Sequence, residues 1–155
     1  MDRIVTAAIA LGSNLGDRAA HLNYAVSRLK TVLKGLHVSR FHQTVPVGAP
    51  GPQPLFLNAA AVGEAAIAAR ELLNALLAIE QERGRERPYQ NAPRSLDLDL
   101  ILFGDAVIDE PGLIVPHPRF RERRFVLEPL AEVAPGMRDP VTGRTIAELL
   151  KLSEP

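Results

Sequence analysis

The 155-residue sequence is 46% hydrophobic, carries 18 basic and 18 acidic side chains, and has no cysteine. That length suits one domain over residues 1–155, with a core that needs neither disulfides nor metals as staples. Balanced charge excludes a global field that would draw the chain to nucleic acid or a membrane surface. The missing thiols exclude thiolate catalysis and cysteine-ligated metals, and a reducing cytoplasm is the expected compartment.

In chain order, Ile4 to Leu11 reads as a first strand; the apolar run around it is too short to span a membrane and is expected to belong to the fold, not to a signal peptide. Gly12, Ser13, Asn14 and Gly16 should break the strand into a tight turn before Asp17, an N-cap by residue type. A helix follows, with Leu22, Ala25, Val26, Leu29, Val32 and Leu33 at three- and four-residue steps and Gly35 at its expected stop. Leu36 to Gln43 alternates as a strand and leads to TVPVGAPGPQP, whose prolines and glycines forbid regular structure. Loops this long inside small domains are often functional. Phe56 to Glu64 resumes as a strand, and Ala68 to Glu82 forms a second helix with Leu72, Leu73, Leu76, Leu77 and Ile79 inward. An arginine-bearing segment, Arg85 to Arg94, precedes a strand from Asp97 to Phe103. The order βαββαβ predicts an α+β fold, the ferredoxin-like plait, with both helices on one face. The proline-broken remainder should add a C-terminal extension of short strands and helices, one helix near Arg123 to Leu130 and another near Thr145 to Leu150.

The densest signal is SLDLDLILFG. Alternation places Asp97, Asp99, Ile101 and Phe103 on one side of the last strand and Leu98, Leu100 and Leu102 on the other. Residues two apart on a strand are separated by roughly 6.6 Å, so the two carboxylates can share one metal or flank two. Mg²⁺ fits best, because it takes hard oxygen ligands, commonly one or two carboxylates plus substrate phosphates. A strand start whose aspartates only meet water is the competing reading.

Arginines bracket this pair: Arg83, Arg85, Arg87 and Arg94 before it, Arg119, Arg121, Arg123 and Arg124 after it. Guanidinium groups bind phosphate oxygens bidentately and keep their charge, which suits a polyphosphate; Arg83 and Arg121, each beside a glutamate, read more simply as solvated surface. His117, between Pro116 and Pro118, is stiffly held and suits either a ligand contact or a structural hydrogen bond. Phe56 and Phe125, two of only seven aromatic residues, could sandwich a flat heterocycle or simply pack in the core. GSNLG fits neither a dinucleotide fingerprint nor a P-loop and reads as a strand-to-helix turn.

Taken together, AIALGSNLGD, TVPVG with FLNAA, IEQERGRER, APRSLDLDLILFG and VPHPRFRERRFVLEPLAEVAP resemble the 6-hydroxymethyl-7,8-dihydropterin pyrophosphokinases of folate biosynthesis, over nearly the whole chain. The resemblance implies a ferredoxin-like core, a monomer, ATP with two Mg²⁺ ions, and transfer of the β,γ-pyrophosphoryl group to the pterin hydroxymethyl oxygen with release of AMP. It implies metal binding by Asp97 and Asp99, and catalytic roles for these two with Arg85 and Arg94. It implies ATP contacts from Leu73, Glu80, Arg85, Arg87, Arg94, Leu100, His117 and Arg123. It implies pterin contacts from Thr44, Pro46, Val47, Phe56, Asn58, Asp97 and Phe125. The segments Thr44 to Pro54 and Arg85 to Ala92 become moving covers that exclude water. Leu77, Asn91 and Pro118 depart from the common pattern, as does a phenylalanine at position 56, where tyrosine is frequent. Two other readings compete: a palm-type nucleotidyltransferase, which would release pyrophosphate, and a non-catalytic plait acting as a binding module.

Overall fold

The computed structural model describes residues 4–45, 55–84 and 95–153. Four long-range strand pairings build its main sheet: β1 (Val5–Ser13), β2 (Lys34–Val38), β3 (His42–Thr44), β4 (Phe56–Ala65) and β5 (Asp97–Phe103). The order is β2-β4-β1-β5, every pairing is antiparallel, and β3 also pairs with β4. With α1 (Arg18–Leu29) and α2 (Ala69–Glu82) in the connections, this is the expected ferredoxin-like plait, its second strand split in two.

Asp17 caps α1 as expected: its carboxylate accepts from the backbone N–H of Ala20 at 3.1 Å. The helix stops at Leu29, a turn earlier than the periodicity suggests. Val32 and Leu33 lie in the following turn, where Leu33 is still buried, and Gly35 belongs to β2. Apolar spacing reports burial, and a compact turn buries residues as well as a helix does. The strand expected from Leu36 to Gln43 breaks at Ser39–Phe41 into β2 and β3. Gly12 and Ser13 do not turn; they extend β1 to pair with Asn58 and Leu57.

The inner face of the sheet carries α1 and α2. Leu22, Ala25 and Leu29 from α1 and Leu72, Leu76 and Ile79 from α2 pack on Ile9, Leu11, Ala59, Ala61, Leu98 and Leu100 in one buried cluster. Leu77, expected inward, is 39% exposed. Alanine is a poor strand former, yet β1 and β4 are rich in it, because small side chains let layers approach from both sides.

That second layer lies beyond the two-helix plan. A ribbon, β6 (Ile108–Glu110) with β7 (Leu113–Val115), leads through a short 3₁₀ turn at Phe120–Glu122 to α3 (Arg124–Val133) and α4 (Ile146–Leu152). Phe120, Val126, Leu127, Leu130, Ile146 and Leu149 bury Ala8, Ala60, Val62, Ile101 and Leu102 on the outer face. The β1–β5 register passes from Ala8 opposite Leu102 to Ile9 opposite Leu100, so Ile101 is an extra, bulged residue. The bulge reverses the alternation. Ile101 and Leu102 both join the outer cluster, and Phe103, expected beside the aspartates, joins the inner one.

Candidate active site

Beyond Ala60 and Ile101 the outer face turns polar. Strand register lines up Asn58 (β4), Gly12 (β1) and Asp97 (β5) as direct neighbours, with Ala60, Ala10 and Asp99 in the next row. Adjacent strands lie about 4.8 Å apart, so Asn58 and Asp97 face each other across roughly 10 Å of sheet with only a glycine between them. A Cβ built on Gly12 would stand 3.1 Å from Asn58 Oδ1 and 3.7 Å from the Phe56 ring. Bare backbone therefore forms the floor of a slot, a role that the turn reading of GSNLG missed.

One wall of the slot comes from β3 and β4. Thr44 is opposite Phe56, and Asn58, only 6% exposed, donates its Nδ2 hydrogen to Thr44 Oγ1. This fixes the amide so that its Oδ1 lies over Gly12. At the first turn of α3, Phe125 is partly buried against the outer cluster, and the Arg123 guanidinium sits 5.6 Å from the centre of its ring.

Asp99 opens to a second hollow. A cleft of about 260 Å³ is lined by Leu73, Asp99, Leu100 and His117, joined by Leu113 and Ile114 of β7. Three of the expected nucleotide-side residues, Leu73, Leu100 and His117, thus meet in one place although they come from different elements, whereas Glu80 and Arg123 do not line this cleft. The ribbon residues were not legible beforehand, since a three-residue strand leaves almost no periodicity to read. A larger hollow of about 540 Å³ opens at the opposite end of β1 and β5, beside Thr6 and Gly104, away from all these groups.

His117 is held from both sides: its backbone N–H donates to Ile101 O at 3.0 Å, and its Nδ1 accepts from the Arg119 N–H at 3.2 Å. Burial, then the Arg123 charge, pushes its pKa below the usual histidine value against the opposing pull of Asp97. The ring is therefore neutral at pH 7, and with Nδ1 accepting, its proton sits on Nε2.

Glu80 is 2% exposed, and its Oε2 accepts from the backbone N–H of Leu98 at 2.7 Å. The structure thus places this carboxylate behind the acidic pair, gripping the backbone between Asp97 and Asp99. Arg83 is not loose surface: its Nε donates to His21 Nδ1 at 2.9 Å, and its guanidinium lies 4.7 Å from the centre of the Tyr24 ring. Arg121 likewise pairs with Asp139, whose side chain is fully buried, at 2.5 and 2.8 Å. Pro46, Val47, Arg85, Arg87, Asn91 and Arg94 lie outside the described residues, as do most of the two expected covers. Among the described residues no group of three histidine or acidic side chains is placed to hold a metal by itself, and no helix is long and apolar enough to cross a membrane.

The ferredoxin-like sheet thus presents two carboxylates, Asp97 in the row of Gly12 and Asn58 and Asp99 beside the histidine-edged cleft. Residues 8–135 match the family described as 7,8-dihydro-6-hydroxymethylpterin-pyrophosphokinase. The chain is 42% identical over 144 residues to a 2-amino-4-hydroxy-6-hydroxymethyldihydropteridine pyrophosphokinase of Pseudomonas aeruginosa, covering 92% of this chain and 88% of that protein. It is 41% identical over 146 residues to the Synechocystis protein of the same name, covering 94% of this chain and 74% of the other. Its fold matches the crystal structure of Plasmodium falciparum HPPK-DHPS with a TM-score of 0.76 at 14% identity; that match covers 98% of this chain and 45% of the longer one. The chain belongs to the 7,8-dihydro-6-hydroxymethylpterin pyrophosphokinase family. The family reaction is pyrophosphoryl transfer from ATP to the hydroxymethyldihydropterin, a step of folate biosynthesis, and neither the nucleotidyltransferase nor the binding-module reading is favoured.

Proposed function

We propose that the polar part of the outer sheet face joins the two substrates, with the pterin in the slot between Phe56 and Phe125 and ATP in the cleft beside His117. The observation that carries this assignment is the placement of the acidic pair. Asp97 stands in the row with Gly12 and Asn58, whereas Asp99 lines the cleft with Leu73, Leu100 and His117. One strand step thus spans the distance between acceptor and donor, and the reacting groups meet between the two carboxylates.

Asn58 Oδ1, held by the Thr44 contact, is oriented to accept from an N–H on the edge of the ring, and the phenyl rings supply apolar faces for stacking. Leu73 and Leu100 give the base an apolar seat, while Arg123 offers charge to phosphate oxygens. The neutral His117 can donate from Nε2 to a phosphate oxygen. By sequence position, Pro46 and Val47 complete the pterin side, and Arg85, Arg87 and Arg94 complete the phosphate side. Glu80 acts through its grip on Leu98, fixing the strand that carries the acids.

Two carboxylates with no third histidine or acidic ligand among the described residues suit Mg²⁺, which fills its remaining positions with water and phosphate oxygens; Asp97 and Asp99 would hold two such ions. Ions held by these two carboxylates would supply neutralising charge to the polyphosphate and polarise its oxygens. The protein's own work is alignment of the hydroxymethyl oxygen in line with the β-phosphorus, stabilisation of charge on the transferring oxygens, and exclusion of water as a competing acceptor. The enzyme acts as a monomer in the cytoplasm, with no nucleic-acid or membrane partner.

With ATP, Mg²⁺ and the pterin, the products should be AMP and the diphosphorylated pterin. Asp97→Asn and Asp99→Asn should each lower kcat by roughly 10²-fold or more. Only Asp97→Asn should also weaken pterin binding when no nucleotide is present. Ordinary turnover in either variant, with unchanged Mg²⁺ dependence, would contradict the assignment.

A further inference from the structure

Glu132, near the end of α3, sits seven residues after Phe125, so the two point to the same side of the helix about 10 Å apart along its axis. Its carboxylate leaves α3 for the edge of the sheet. Oε2 accepts from the backbone N–H of Arg40 at 2.9 Å; Oε1 accepts from the Arg40 guanidinium at 3.1 and 3.2 Å and from His42 Nε2 at 2.6 Å. The reason lies in the break between β2 and β3. Ser39 remains bonded to Ala60 through both its backbone and its hydroxyl, but the next residue leaves the ladder and its N–H needs another acceptor. His42 then re-enters directly opposite Asn58, two residues before Thr44.

We propose that Glu132 is a positioning residue for the pterin half of the site: one carboxylate locks the helix that carries Phe125 to the strand that carries Thr44. Both walls of the slot hang on that junction, since Thr44 in turn orients Asn58. Glu132 touches no substrate position itself. Burial pushes its pKa up, but the Arg40 N–H, the guanidinium and His42 together bring it below the usual carboxylate value, so the latch is charged at neutral pH. Its geometry also separates it from the nucleotide cleft, which is built from α2, β5 and β7. The proposal rests on the placement of the pterin between Phe56 and Phe125.

The test compares equilibrium affinities for the pterin, measured with a non-transferable α,β-methylene ATP analogue present, and for that analogue alone. Glu132→Ala should weaken pterin binding roughly tenfold or more while nucleotide affinity stays within about twofold. Glu132→Gln should recover part of the loss, because its amide oxygen can still accept from the Arg40 N–H. His42→Ala, which leaves the Arg40 contacts in place, should cost a few-fold. As a comparison, Glu148→Ala removes the carboxylate of the α4 capping box and should lower the melting temperature without separating the two affinities. Unchanged pterin affinity in Glu132→Ala would overturn the latch, as would parallel loss of both affinities in step with melting temperature. Unchanged pterin binding in Asn58→Ala would instead sink the placement of the pterin, and the latch with it.

Discussion

Gly12 shows how much one absent side chain can decide. Its backbone is ordinary extended strand, so glycine is not demanded by conformation; what an alanine there would meet is the Asn58 amide at 3.1 Å. Alanine is the better residue in a strand interior by roughly 0.5–1 kcal/mol. Crowding of the Asn58 amide offsets that gain, so Gly12→Ala should change the melting temperature little while weakening pterin binding roughly tenfold, a combination that a calorimetric titration beside a thermal melt would reveal. Equal affinity in the variant would mean that no ligand rests on this floor. The sequence could not announce the role, since glycine beside serine and asparagine carries the signature of a turn, and only strand pairing places it between Asn58 and Asp97. The shared face of Asp97 and Asp99, by contrast, was readable from the alternation of the last strand, because residues two apart point the same way. His117 was readable as a stiffly held ring, but its neutral state depends on burial and on Arg123, which no spacing reports.

Short elements owe their positions to a few strong polar contacts, and the 3₁₀ turn after His117 is the clearest example. Its Arg121 pairs with Asp139, which also accepts from the Thr142 hydroxyl at 2.7 Å and the Val141 N–H at 3.0 Å. Removing one partner leaves a buried charge behind, so Arg121→Ala should cost about 3 kcal/mol in a denaturant titration. Burial alone would raise the Asp139 pKa, yet the guanidinium and the two donors bring it down to about 2 from 3.8. With the folded value below the unfolded one, this stabilisation is complete above pH 3.8 and is lost as pH falls through about 2. Acid titration of stability should show that limb in the native protein and a flatter one in Arg121→Ala. Helix α2 was legible nearly to the residue because its apolar pattern runs long enough to show a period, and β4 and β5 because each begins where a proline-bearing segment ends. The overextended α1 and the unbroken strand before Thr44 came from the opposite situation: buried residues in a turn, and an alternation that continues across Ser39–Phe41 although the ladder does not.

At the scale of the molecule, the two layers differ in what holds them. The inner layer is the periodic α1 and α2 pair, and it gave the fold class away; the outer layer is assembled from proline-interrupted pieces whose contacts are distant in sequence, so its packing could not be foreseen. Both cores are built from apolar side chains. Chelation of divalent metals should therefore abolish turnover while leaving the unfolding transition where it was, whereas a large drop in melting temperature would show that the acidic pair needs its cations to fold. The bulge at Ile101 bears on any attempt to reuse this chemistry. A designer who transplanted all seven residues of the acidic strand into a regular plait, ironing the bulge flat, would face an unwelcome choice: turn the aspartates into the oil beneath the helices, or strand a phenylalanine in the water above them.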